Sequence, residues 1–220
     1  MTRKLKTGRR APASGTTRNA VVFLHGYGAD GNDLLGLADP LAQHLPDTLF
    51  LAPDAPEPCV MNPMGRQWFP IPRMDGSTEA QAAEGLAAAT ADLDAWLDAM
   101  LEDEGLSPAQ VVLFGFSQGT MMSLHVAPRR PAPLAGVVGF SGRLLAPERL
   151  EGDARSKPPV MLVHGDADDV VPFGNLRAAA DALTRAGFET YGHVMKGTAH
   201  GIAPDGLSVA LAFLREKLPA

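Results

Sequence analysis

The chain has 220 residues, enough for one α/β domain that buries most of its potential surface. Apolar residues make up 45% and charged residues 20%, and the formal net charge of -6 gives no reason to expect nucleic-acid binding. A single cysteine, Cys59, excludes an internal disulfide, and no apolar run approaches the roughly 18 residues of a spanning helix, so stable membrane insertion is not expected.

In chain order, residues 1–18 come first, as an N-terminal extension to a single domain over 1–220. Arg3, Lys4, Lys6, Arg9 and Arg10 cluster there, and the segment reads as a solvated, partly frayed end or an edge strand. No apolar h-region follows Arg9-Arg10, which argues against a twin-arginine signal; with the lone cysteine this makes a cytoplasmic location the expectation. From residue 20 short apolar runs alternate with helical patterns. Strands are predicted at 20–24, 48–52, 111–116, 135–140, 160–163 and 190–195. Four are near-continuous apolar runs, as in parallel strands buried on both faces. Helices are predicted at 33–44, 78–104, 120–127, 174–186 and 207–217. The longest has Leu86, Leu93, Trp96, Leu97, Met100 and Leu101 at helical spacing, with Asp92, Asp94, Asp98 and Glu102 on other positions. Thr78 with Gln81 predicts a capping box and Gly105 a C′ residue. The alternation implies a mostly parallel, doubly wound sheet flanked by helices.

One stretch breaks the rhythm. Residues 55–77 carry five prolines and no period, yet hold Met61, Met64, Trp68, Phe69, Ile71 and Met74. Disordered segments seldom hold so many large apolar side chains, so an ordered flap over a pocket is expected. By contrast, residues 142–158 are too short for a large cap domain, which implies a shallow, open site.

The most informative pentapeptide is Gly115-Phe116-Ser117-Gln118-Gly119. A predicted strand precedes it and a predicted helix follows, the context of a nucleophile elbow that holds a serine above a sheet. A serine hydroxyl needs a base, an orienter for that base and donors for an oxyanion. In an open α/β sheet these come from loops at the carboxyl ends of the strands. His200, in the loop after the last predicted strand, is the base candidate. His25 and His164 end strands at the same edge, where a histidine commonly braces loop backbone. Asp166, Asp168 and Asp169 follow a buried strand, and spacing alone does not separate them as orienter. The loop from His25 to Asp33 is glycine-rich, but it lacks both G-x-G-x-x-G and a P-loop lysine. A backbone N–H from this loop, joined by that of Gln118, fits an oxyanion hole, where one donor contributes about 2.7–4 kcal/mol.

These blocks, H-G-Y-G-A-D-G-N-D-L at 25–34, G-F-S-Q-G at 115–119, H-G-D-A-D-D-V-V-P at 164–172 and G-T-A-H at 197–200, together resemble the phospholipase/carboxylesterase family of α/β-hydrolases, which includes the acyl-protein thioesterases. The similarity covers roughly residues 19–218. It implies an α/β-hydrolase fold and places the catalytic acid at Asp168, beside Ser117 and His200. It also implies Tyr27 and Gln118 as oxyanion donors, and Trp68-Phe69 resembles the family's tryptophan-containing segment beside the acyl pocket. The chain departs from many thioesterase members in having Thr120 where they have a further glycine. The expected function is serine carboxylesterase, with Met61, Met64, Trp68 and Phe69 contacting the acyl chain of a small ester, and the chemistry calls for no metal or organic cofactor. Thioesterase or lysophospholipase activity through the same triad is the alternative, and a catalytically silent binding protein lies further off. Arg66, Arg73 and Arg143 are the few basic residues near the expected site, which favours uncharged esters. The resemblance also implies a homodimer.

Overall fold

The predicted strands and one further edge strand pair into a seven-stranded sheet in the computed structural model, which describes residues 2–219. The strands are β1 (Thr7–Arg10), β2 (Asn19–Leu24), β3 (Thr48–Pro53), β6 (Val111–Phe116), β7 (Gly136–Phe140), β8 (Val160–Gly165) and β9 (Thr190–Met195). A separate two-stranded ribbon joins β4 (Glu57–Pro58) and β5 (Arg66–Gln67). The sheet order is β1-β3-β2-β6-β7-β8-β9, parallel throughout except for β1, which runs antiparallel to β3. The helices are α1 (Gly31–Leu35), α2 (Ala38–Ala42), α3 (Pro72–Asp75), α4 (Glu79–Glu104), α5 (Gln118–Val126), α6 (Leu150–Asp153), α7 (Gly174–Arg185) and α8 (Pro204–Lys217). The fold is the mostly parallel α/β-hydrolase sheet flanked by helices that was expected, with no cap domain among the described residues. No helix among them is long and apolar enough to cross a membrane.

Period-2 alternation divides the strand side chains between two cores. Val22, Leu24 and Leu113 pack with Leu93 and Leu97 of α4 and Met122 of α5. Val21, Phe23, Val112 and Phe114 pack on the other face with Leu41 of α2 and Phe213 and Leu214 of α8. On that second face Phe50, Phe23, Phe114 and Phe140 form a row across four neighbouring strands, with ring centroids 5.1 to 5.9 Å apart. The row crosses the middle of the sheet, and the loops that hold the chemistry leave the carboxyl ends of the strands beside it.

Three details of these elements have physical causes. Of the two readings of the N-terminal segment, the edge strand is the one that forms: Arg3 reaches the buried Asp92 with both its backbone N–H and Nε, each at 2.7 Å, and Arg9 pairs with Glu104. Asp92 therefore faces inward on α4 as an anchor. The helix expected over 33–44 is two short ones. Asp30 caps α1 by accepting from the Asn32 N–H at 2.9 Å, and the ring of Pro40 bars a continuous helix through residue 36. The capping box at Thr78 and Gln81 forms as expected, and Gly105 takes φ 65° at the helix end.

Candidate active site

β6 delivers Ser117 at a sharp turn. Its φ of 53° and ψ of -113° lie outside the comfortable regions for a side-chain-bearing residue, a strain of order 1–3 kcal/mol that the surroundings must hold. Its N–H donates to the Phe140 carbonyl of β7 at 2.8 Å, and Thr120 Oγ1 donates to the same oxygen at 2.8 Å. Thr120 is accommodated by glycines opposite: a Cβ on Gly139 would come within 2.6 Å of its methyl group. The Ser117 hydroxyl makes no hydrogen bond to any described residue.

β8 and β9 deliver an acid and a base to the same edge. Asp168 Oδ2 accepts from His200 Nδ1 at 2.8 Å, while Oδ1 accepts from the N–H groups of Val170 and Val171, both at 2.9 Å. Burial works to raise the pKa of this carboxyl. The bonds from His200 and from the Val171 and Val170 amides outweigh it and hold the carboxyl below the usual carboxylate range. His164 braces the loop, with Nε2 donating to the Val171 carbonyl at 2.9 Å and lying 3.2 Å from Asp168 Oδ2. Asp166 is exposed, but Oδ1 accepts from the Gly197 N–H at 2.6 Å and so ties the acid loop to the His200 loop. Asp169 is exposed.

The loop after β2 supplies backbone donors. The Tyr27 N–H and the Gln118 N–H, the latter at the first position of α5, are bonded to no other described residue. His25 lies buried beneath them, Nδ1 on the Gly26 carbonyl at 2.8 Å and Nε2 accepting from the Ala55 N–H at 3.0 Å. Burial pushes this imidazole below its ordinary range, in keeping with the neutral tautomer that those two partners require. The Tyr27 hydroxyl donates to Asp75 Oδ2 at 3.2 Å, and Asp75 also accepts from the Ile71 and Ser77 N–H groups. The loop after β2 is thus joined to the turn at α3.

Ser117 and His200 line one cavity of about 520 Å³. Of the four apolar residues expected to contact an acyl chain, Phe69 lines it and Met61, Met64 and Trp68 do not. The reason is the ribbon β4–β5, which folds residues 60–64 outward against the Gly28 loop. Gly28 N–H donates to the Arg66 carbonyl at 2.9 Å and Asn62 Nδ2 to the Gly28 carbonyl at 2.8 Å. Met61 and Met64 are left exposed at the tip. Trp68 is fully buried, its indole N–H donating to the His25 carbonyl at 3.0 Å.

The apolar wall is made instead by Phe69, Ile71, Met74, Phe116, Met121 and Val171. Phe116 and Met121 flank the serine in sequence, a signal that proximity to the elbow could have supplied. Gln118 contributes more than its backbone. Its side chain accepts from the Trp68 N–H at 2.8 Å and donates to the Phe69 carbonyl at 2.7 Å, fastening the flap to the elbow. No group of three or more His, Cys, Asp or Glu among the described residues is arranged to hold a metal ion.

Residues 11–218 match the family model described as phospholipase/carboxylesterase. Among solved structures the chain is similar to esterase PE8, at 44% identity and a TM-score of 0.93 over 98% of this chain and 100% of that one. It is also similar to acyl-protein thioesterase 1 of Saccharomyces cerevisiae, 30% identical over 91% of this chain and 93% of the relative. Esterase YpfH of Escherichia coli is 27% identical over 90% of this chain and 83% of its own length.

Proposed function

The chain belongs to the phospholipase/carboxylesterase family and is an enzyme of the serine hydrolase class, and from that premise we propose that it is a single-domain carboxylesterase acting through Ser117, His200 and Asp168. The observation that carries this reading is the 2.8 Å bond from His200 Nδ1 to a fully buried Asp168 carboxylate, with the imidazole and Ser117 on one cavity.

In this mechanism Ser117 Oγ attacks the acyl carbonyl carbon while His200 Nε2 takes the hydroxyl proton. Asp168 keeps Nδ1 protonated and stabilises the imidazolium that forms. The carbonyl oxygen gathers negative charge and is met by the Tyr27 and Gln118 N–H groups, reinforced by the positive end of α5. Collapse of the tetrahedral intermediate breaks the bond to the leaving oxygen, which receives the proton from His200. Water, deprotonated by the same imidazole, then attacks the acyl-enzyme and releases the acid and Ser117. The acyl group is accommodated by Phe69, Ile71, Phe116 and Met121.

Thioester or lysophospholipid cleavage by the same groups is the second reading, favoured by the likeness to a yeast protein named as an acyl-protein thioesterase. Rates on oxygen esters and thioesters of one acyl chain, from two to sixteen carbons, separate the two. A tenfold preference for thioesters overturns the carboxylesterase assignment. Labelling by an active-site phosphonate should be lost in Ser117→Ala; undiminished labelling of that variant overturns the nucleophile. The reading further includes a cytoplasmic enzyme and a homodimer, in which a second copy would cover the exposed Val60, Met61 and Met64. Sedimentation of the native chain against a Met61→Ser, Met64→Ser variant tests the dimer.

A further inference from the structure

Two guanidiniums, Arg73 and Arg143, line the cavity that Ser117 and His200 share. They are held differently. Arg73 donates from Nη2 to the Val170 carbonyl at 3.2 Å, spanning from the flap to the acid loop. Arg143 makes no hydrogen bond or ion pair with any described residue. Three arginines on neighbouring elements are matched with acids: Arg129 and Arg149 share Asp153, and Arg130 takes Asp94 and Asp98. Asp33 and Glu79, the carboxylates on the same cavity, pair with neither of its arginines.

The backbone path at Arg143 is set by the turn that leaves β7, and its side chain is exposed at the cavity mouth. Ser141 has φ 47° and Ala146 φ 46°, so the segment leaving β7 is strained on both sides of it. Between them, Gly142 lies so near the elbow that a Cβ there would come within 2.9 Å of the Ser117 carbonyl oxygen. Residue 143 therefore leaves the sheet beside the nucleophile's own backbone.

We propose that Arg143 is a specificity residue that binds a carboxylate on the substrate, making esters with an apolar chain and a single negative charge the preferred class. This inference rests on the serine-esterase reading above. A guanidinium meets a carboxylate through two parallel N–H···O bonds, and the apolar wall takes the methylenes between charge and ester. One negative charge suits a lining that also holds Asp33 and Glu79, whereas a phosphomonoester would bring nearly two. The expectation of uncharged esters rests on the small number of cations near the site. In the fold, two of the three counted line the cavity, and Arg66 is instead committed to the carbonyls of Ala55 and Pro56.

The test compares kcat/KM for matched esters in the native enzyme, Arg143→Gln and Arg143→Lys. Monomethyl adipate against methyl hexanoate places the carboxylate on the acyl side. The hexanoyl ester of 4-hydroxybutyrate against butyl hexanoate places it on the alcohol side. The ratio of charged to neutral ester should fall at least tenfold in Arg143→Gln in one of the two arms, recover in part in Arg143→Lys, and shrink with added salt. Ratios within twofold of native in both arms overturn the proposal. A loss confined to lysophosphatidylcholine also overturns it and makes the anion a phosphate. Ser117→Ala is assayed alongside: if it keeps native turnover, the esterase reading itself fails, whereas an inactive Ser117→Ala with unchanged Arg143→Gln ratios sinks only the inference about Arg143.

Discussion

Ser117 stands in a strained turn because its neighbours leave the helix that follows no other path. Gly119 shows how tightly: a Cβ at that position would run into the Leu24 carbonyl of β2, so α5 approaches the sheet only with glycine there. Gly119→Ala should lower the thermal midpoint by many degrees and reduce soluble yield. Gly152→Ala, in α6 with nothing within 4 Å of the new methyl, should gain about 0.4–1 kcal/mol through the unfolded state. A Gly119→Ala protein with a native melting curve would contradict this account of the elbow. The acid is a second residue-scale case. Asp168→Asn removes the carboxylate that orders His200, and in the triad template this change costs about 10⁴ in kcat with the fold intact. Ester turnover beside far-ultraviolet circular dichroism measures both, and turnover within tenfold of native would remove Asp168 from the mechanism. Three aspartates stood open to spacing because turn geometry decides which of neighbouring acids is buried. Asp168 points in to Val170, Val171 and His200, Asp166 reaches across to Gly197, and Asp169 faces solvent.

The flap is where element-scale physics departs furthest from what spacing conveys. Its order was legible in the density of large apolar side chains over 55–77, but not which of them face the cavity. That choice is made by long-range bonds, since Gln118 lies fifty residues from Trp68 and the ribbon turns Met61 and Met64 outward. Edge strand β1 was legible only as an alternative to a frayed end: Thr7–Arg10 has no apolar run, and charged side chains suit a sheet edge. The buried strands at 48–53 and 111–116 and the half-exposed edge strand at 190–195 needed only local runs, and they lie where the sequence put them to within a residue. Gln118→Leu tests the fastening of the flap. It leaves the Trp68 N–H and Phe69 carbonyl without their partner, at about 1–3 kcal/mol for each group left buried and unsatisfied. The melting temperature should fall. The ratio of kcat/KM for long to short acyl esters should also move toward one, as Phe69 loses its fixed place on the cavity wall. A lower melting temperature with an unchanged length profile would make Gln118 structural alone.

The whole molecule adds a pH dependence that no single loop sets. The sheet that gathers the cavity-lining loops at one edge also buries histidines that the chemistry leaves unused. His125 on α5 is pushed down to about 4 by burial and by the Arg129 charge, and its Nδ1 is buried without a partner among the described residues. His25 is lowered too, by burial above all, against the pull of the Gly26 carbonyl and nearby aspartates. Both rings are neutral in the folded chain at pH values where an exposed imidazole, with a pKa of about 6.5, is protonated. The unfolded state therefore binds more protons than the folded state below about pH 6.5, and stability rises with pH across that window. Their contribution is whole above the unfolded value and is lost as the pH falls toward 4. Asp168, held below the usual carboxylate range, acts in a lower window: its contribution is present above the unfolded carboxylate value of about 3.9 and is lost as the pH drops below that. The urea midpoint should thus begin to fall between pH 6.5 and 4, before the carboxylates titrate, at constant denaturant slope. His125→Gln should flatten that fall in part and leave the remainder to His25. A midpoint constant from pH 7 to 4.5 in the native chain would mean that neither ring is kept neutral by folding.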